Sequence, residues 1–157
     1  VTTASRGDAA RVDVASMRES VALLLAPDAQ PPTGTELVAL TETLRAYVVV
    51  MVAEVETRAE QAPKDDIPRY CALACVGEAR RKLRTLPPEP HADDAGHARR
   101  LARSLCALCD YYETLTGVRM CVACDQPIDD LDDSLPYDQL SPSGHGLAAR
   151  IHPGCRR

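Results

Sequence analysis

Apolar residues recur at helical intervals through the first three quarters of this 157-residue chain, and the period then disappears. Met17, Val21, Leu24 and Leu25 share one face of a short first helix. Ser16-Met17-Arg18-Glu19 fits a capping box at its start, where hydroxyl and carboxylate satisfy each other's free backbone N–H groups. Pro27 and the Gln30-Pro31-Pro32 stretch end it. Thr33-Gly34-Thr35-Glu36 repeats the capping signal ahead of the longest helix. Its core stripe is Leu37, Leu40, Leu44, Val48, Met51 and Val55, and it runs to the break at Gln61-Ala62-Pro63.

Asp66-Ile67-Pro68 supplies a polar cap and a first-turn proline for a third helix carrying Ala72, Val76, Ala79, Leu83 and Leu86. Pro87, Pro88 and Pro90 close it. From about Asp94 a fourth helix sets Leu101, Leu105, Leu108, Tyr112 and Leu115 against Arg99, Arg100 and Arg103, with Gly117 as its stop. Beyond Gly117, Asp, Pro, Gly and Ser dominate and no helical period of useful length survives. The expected fold class is therefore all-α. It comprises an antiparallel bundle of about four helices over residues 14–117, a disordered lead over 1–13 and a small irregular zinc-binding finger over 118–157.

Composition agrees with packed helices. Hydrophobic residues make up 45% of the chain but aromatics only 3%, with five Tyr and neither Phe nor Trp, so Leu, Val and Ala must build the core. The net charge of -5 argues against a protein whose main task is wrapping duplex DNA. The longest apolar run, Ala46 to Ala53, falls far short of the roughly 20 residues that span a bilayer. Val1 to Val14 lacks the apolar core of a signal peptide, so a cytoplasmic protein without membrane contact is expected. In that setting seven Cys point to metal binding, redox chemistry or burial before disulfides.

The tail is too poor in apolar residues to fold by burial, and it carries a staple. Cys121-Val122-Ala123-Cys124 and His152-Pro153-Gly154-Cys155 each place two ligands three residues apart, and two such pairs complete a tetrahedron around Zn(II). Three thiolates and one imidazole leave no position for water or substrate, so Cys121, Cys124, His152 and Cys155 are read as a structural zinc site. His145, in a Ser-Gly-His-Gly turn, is the substitute ligand. Neither a His-x-Glu deaminase element nor a His-Glu-x-x-His helix is present to supply a general base, and no catalytic residue is assigned. The two ligand pairs, with Cys124-Asp125-Gln126-Pro127-Ile128 as the opening knuckle, resemble LIM-type and other treble-clef zinc fingers over residues 120–157.

Cys71 and Cys75 on the third helix, and Cys106 and Cys109 on the fourth, stand at one level if the two helices form a hairpin turning near residue 90. Core packing, a reversible disulfide and a second metal centre are all open to them. Ala74 and Gly77 suggest a close helix approach at the same level. Arg80, Arg81, Lys82 and Arg84 form a basic strip with Arg99, Arg100 and Arg103. The acidic loop Asp129, Asp130, Asp132, Asp133 and Asp138 either faces solvent or docks on that strip, tying tail to bundle.

Met17 to Ser20, Ile67 to Arg80, and Leu101 to Glu113 are similar to a family of small actinobacterial proteins of unknown function labelled natural-product biosynthesis proteins, over residues of about 12–117. The resemblance implies a biosynthetic setting and no catalytic residues. The function expected is a non-catalytic accessory or regulatory module that binds a protein partner. One alternative is a DNA-binding transcriptional regulator using the basic strip with Arg156 and Arg157. Another is a biosynthetic enzyme with a pocket between helices beside Glu78 or Tyr112.

Overall fold

The computed structural model describes residues 12–85, 93–117, 119–129, 133–139 and 147–156. Sequence readings that rest on residues 1–11, Leu86, Pro87, Pro88, Pro90, Asp130, Asp132, His145 and Arg157, or on the Asp138 side chain, lie outside the described residues. Within them the chain forms α1 (Val14–Leu25), α2 (Gly34–Gln61), α3 (Ile67–Arg84) and α4 (Asp94–Thr116). Two short hairpins follow, β1 (Arg119–Met120) with β2 (Pro127–Ile128) and β3 (Leu135–Gln139) with β4 (Leu147–Ile151), and then a 3-10 turn at Pro153–Cys155.

The predicted stripes form the core. Leu44, Val48, Met51 and Val55 of α2 meet Leu101, Leu105 and Leu108 of α4, all fully buried. Met17, Val21 and Leu24 cover this core from α1, and Ala72, Val76 and Ala79 from α3. Small residues on both sides, Ala72 and Ala79 on α3 with Ala98 and Ala102 on α4, keep these helices supplied with methyl-sized buried contacts. Ala74 and Gly77 take no part in a close approach, because both are exposed and a Cβ on Gly77 would meet nothing within 4 Å.

Helix starts differ from the sequence expectation. Asp13, three residues before Ser16, caps α1 by accepting from the Ser16 amide at 3.0 Å and the Ser16 hydroxyl at 2.6 Å, so Ser16 lies in the first turn. The Asp13 carboxyl is held below its usual range by those bonds. Thr33 occupies the N-cap of α2 without making a side-chain cap bond. Asp66 occupies the N-cap of α3, but its carboxylate is engaged elsewhere. Gly117 ends α4 as expected, in an extended rather than a left-handed conformation.

The tail is more regular than expected. β1 and β2 pair antiparallel with Arg119 opposite Ile128, and β3 and β4 pair with Leu135 opposite Ile151. Two-residue strands carry no readable period, and Pro136 within β3 masks the other hairpin, which tolerates proline because β3 is an edge strand.

Candidate metal centre

The first ligand pair sits on a tight knuckle between β1 and β2. Cys121 N–H donates to the Gln126 carbonyl and Asp125 N–H to the Cys121 carbonyl, both at 2.8 Å. Asp125 takes φ of 58°, the left-handed conformation that Asp tolerates better than most residues, and this folds the chain back on itself. The second pair leaves the end of β4. Cys155 N–H donates to the His152 carbonyl at 2.9 Å, closing the 3-10 turn that brings Cys155 back beside His152. A parallel bridge between Cys121 and Arg150, with Val122 N–H donating to the Arg150 carbonyl at 3.2 Å, joins the two halves.

One ligand atom from each of Cys121, Cys124, His152 and Cys155 lies within 4.8 Å of the other three. A tetrahedral zinc site has Zn–S distances of about 2.3 Å and hence S–S edges of about 3.8 Å, so a small closure would seat all four donors on one ion. The histidine is already oriented: Nε2–H donates to the Pro127 carbonyl at 3.1 Å, leaving Nδ1 at 3.4 Å from the Cys124 sulfur. A backbone carbonyl that fixes the tautomer in this way is the usual partner of a metal-binding imidazole.

Electrostatics favour a cation among these donors. Burial opposes ionisation of Cys121, but backbone N–H groups of His152, Ala123 and Cys124 point at its sulfur and hold the thiol down to about 6. Cys155 is pushed up to about 11 by its bond with the Cys124 sulfur, by burial and by the nearby Cys121. Crowded thiols of this kind ionise together only when a positive charge joins them.

Among the described residues burial in the finger is slight. Cys121, Ile128 and Ile151 form its core, with Leu135 and Cys155 packed against them.

Bundle and finger meet at an ion-pair cluster that the sequence reading did not find. Arg119 grips Asp66 with both ends of its guanidinium at 3.0 Å, and Asp66 is buried. Arg150, also buried, reaches Asp65 at 3.3 Å and Asp66 at 3.8 Å, and bonds the Ser134 hydroxyl and carbonyl. At this junction the tail supplies the arginines and the corner between α2 and α3 supplies the acids, while Asp129 and Asp133, the acidic-loop residues whose side chains are described, are exposed. Three residues of the basic strip have partners within the bundle, Arg80 on Glu56, Lys82 on Glu78 and Ser104, and Arg100 on Asp93. Arg81, Lys82 and Arg84 also complement the C-terminal dipole of α3. A sequence signal for the cluster did exist, since an arginine stands two residues before the first ligand of each pair, at Arg119 and Arg150.

Among the described residues the tail quartet alone gathers three or more ligating side chains, and Cys71, Cys75, Cys106 and Cys109 form no such group. Cys109 is buried in the core, Cys75 and Cys106 are half-buried and Cys71 is exposed. All four carry free thiols, and Cys106 lies 4.0 Å from the Arg18 guanidinium. Burial pushes the Cys109 thiol up to about 11.

A cleft of about 590 Å³ opens beside Tyr112, lined also by Val12, Arg58, Gln61, Ala62, Leu115 and Thr116. Among the described residues no carboxylate, histidine or cysteine lines it. Glu78, the other residue proposed beside a pocket, is paired with Lys82 instead. Among the described residues no helix is long and apolar enough to cross a membrane.

Residues 15–117 match the model of a family described as a family of unknown function, DUF6415. No curated protein and no solved structure matches the chain.

Proposed function

The chain belongs to the DUF6415 family of unknown function, whose model spans its bundle, and from that premise we propose that it is a non-catalytic accessory or regulatory protein that binds a protein partner. The bundle is the platform, and the finger, held by one structural Zn(II), enlarges it. The observation that carries this reading is the closed donor set of Cys121, Cys124, His152 and Cys155. Three sulfurs and one nitrogen in a tetrahedron suit zinc and leave no position where a substrate or an activated water could bind. The zinc would supply folding free energy, and the chain's own residues would supply the contacts.

Further support comes from the cleft, whose lining among the described residues offers a guanidinium and a phenol but no carboxylate or imidazole as general base. Val38, Val49 and Val50 stand exposed on α2, apolar area of the kind that protein interfaces cover. The link to natural-product biosynthesis rests on the resemblance of the bundle to proteins bearing that label. The alternative of a DNA-binding regulator draws less support, because Arg80, Lys82 and Arg100 already have partners within the bundle.

The test combines metal analysis with affinity purification of the full chain from its own cells. The expected result is one zinc per chain, absent from Cys121→Ser, and a specific protein retained by the native chain and lost from Val49→Asp. Salt-sensitive binding to duplex DNA without a protein partner would move the reading to the transcriptional alternative. Solvent bound to the ion would overturn the structural role.

A further inference from the structure

We infer that the finger is a metal-dependent latch on the bundle: an ion held by Cys121, Cys124, His152 and Cys155 keeps Arg119 and Arg150 on Asp65 and Asp66, and its loss releases the start of α3. The inference rests on the zinc reading above and adds a route from the ion to the helices.

Each half of the ligand set is tied covalently to one arm of the clamp. Arg119 lies two residues before Cys121, and Arg150 two residues before His152. Arg150 is also bound to the knuckle through its backbone, since its carbonyl accepts from Val122 N–H between the first two cysteines. With so small a core among its described residues, the finger keeps this register only while its four donors are held together. Releasing the ion therefore frees both guanidinium groups.

The receiving end is a structural hinge point. Asp66 is the N-cap of α3, its carbonyl accepting from Arg69 N–H at 3.1 Å and Tyr70 N–H at 3.4 Å, while its own N–H donates to the Pro63 carbonyl at 3.1 Å. Its carboxylate is buried and turned to the finger rather than to the helix. Without Arg119 and Arg150 that carboxylate would be an uncompensated buried charge, so the corner must open for water to reach it. Opening moves Asp66 and with it the first turn of α3. The middle of α2, held by Leu44, Val48 and Met51 in the main core, has no reason to respond.

Coupling of this kind is reciprocal, so weakening the clamp must weaken ion binding by the same factor as the ion strengthens the clamp. Hydrogen exchange of the full chain, zinc-loaded and after chelation, reads the first half. Amides of residues 67–72 are expected to exchange about 10-fold faster or more without the ion, a factor typical of such coupling, while residues 48–55 stay unchanged. Arg119→Gln keeps all four ligands. Its loaded form is expected to exchange like the ion-free native chain, and its zinc affinity to fall by about the same factor. Asp65→Asn removes only the exposed arm of the clamp, giving a milder variant in which a partial effect is expected. Zinc uptake with identical exchange at residues 67–72, loaded and chelated, would overturn the latch and leave the zinc reading intact. Failure to take up zinc at all would remove both.

Discussion

His152 and Pro127 are joined by a hydrogen bond of 3.1 Å from the ring Nε2–H to the backbone carbonyl, and that bond decides which nitrogen faces the cysteines. A carbonyl oxygen only accepts, so Nε2 carries the proton and Nδ1 is the free donor atom. Zinc bound here should therefore show three sulfur neighbours at about 2.3 Å and one nitrogen at about 2.0–2.1 Å by X-ray absorption. His152→Ala should replace the nitrogen by solvent oxygen and weaken zinc binding, whereas Cys124→Ser should lose a sulfur. A native shell containing oxygen would contradict the assignment.

Cys109 and Cys71 should separate cleanly by reactivity. Cys71 is exposed, whereas Cys109 is buried and pushed up to about 11. Alkylation at pH 8 followed by mass spectrometry should label Cys71 first and Cys109 only as the bundle unfolds. The sign for stability follows from the raised value. Folding favours the protonated thiol, so the Cys109 contribution is intact below about pH 9 and is lost as pH rises toward 11. Cys109→Ala should flatten that alkaline decline in a denaturation series.

Core burial, not surface charge, should dominate the bundle. Arg18, itself half-buried, bridges α1 to Asp110 at 2.7 Å and Glu113 at 3.2 Å on α4, but both acids are exposed to solvent. Arg18→Ala should cost less than about 1 kcal/mol in urea unfolding. Leu105→Ala, which empties a fully buried site, should cost about 2–5 kcal/mol.

Gly77 lies in the interior of α3 with open space where a Cβ would stand. Gly77→Ala should stabilise the chain by about 0.5–1 kcal/mol, through helix propensity and a less flexible unfolded state. A loss of stability on thermal melting would mean that a neighbour covers this position.

Among the helix starts, Asp13→Ala should destabilise the bundle measurably, and increasingly less so as acid protonates Asp13. Thr33→Ala should stay within about 0.5 kcal/mol, because no side-chain cap bond is lost.

The helices were legible because burial on one face of a helix imposes a period of three to four residues, which Leu37 through Val55 and Leu101 through Leu115 display. The convergence of Cys121, Cys124, His152 and Cys155 was equally legible, since each pair is brought together by local turn geometry. Caps were less so: Ser16 and Asp13 offer rival oxygen acceptors to the same helix start, and only the fold shows which one turns inward. The four-residue spacing of Cys71 and Cys75 could not reveal that one side chain faces solvent and the other is half-buried.

By itself, then, the sequence determined what depends on neighbours within a few positions: four amphipathic helices, their breaks at proline and glycine, and two Cys/His pairs able to take a metal ion. Tertiary structure decided how those pairs meet and how the finger is tied to the bundle, through Arg119 and Arg150 on Asp65 and Asp66. Those partners lie 53 or more residues apart in the chain. No local pattern records which charge will face which across such a distance, because the choice is made by the packed shape that brings the two surfaces together.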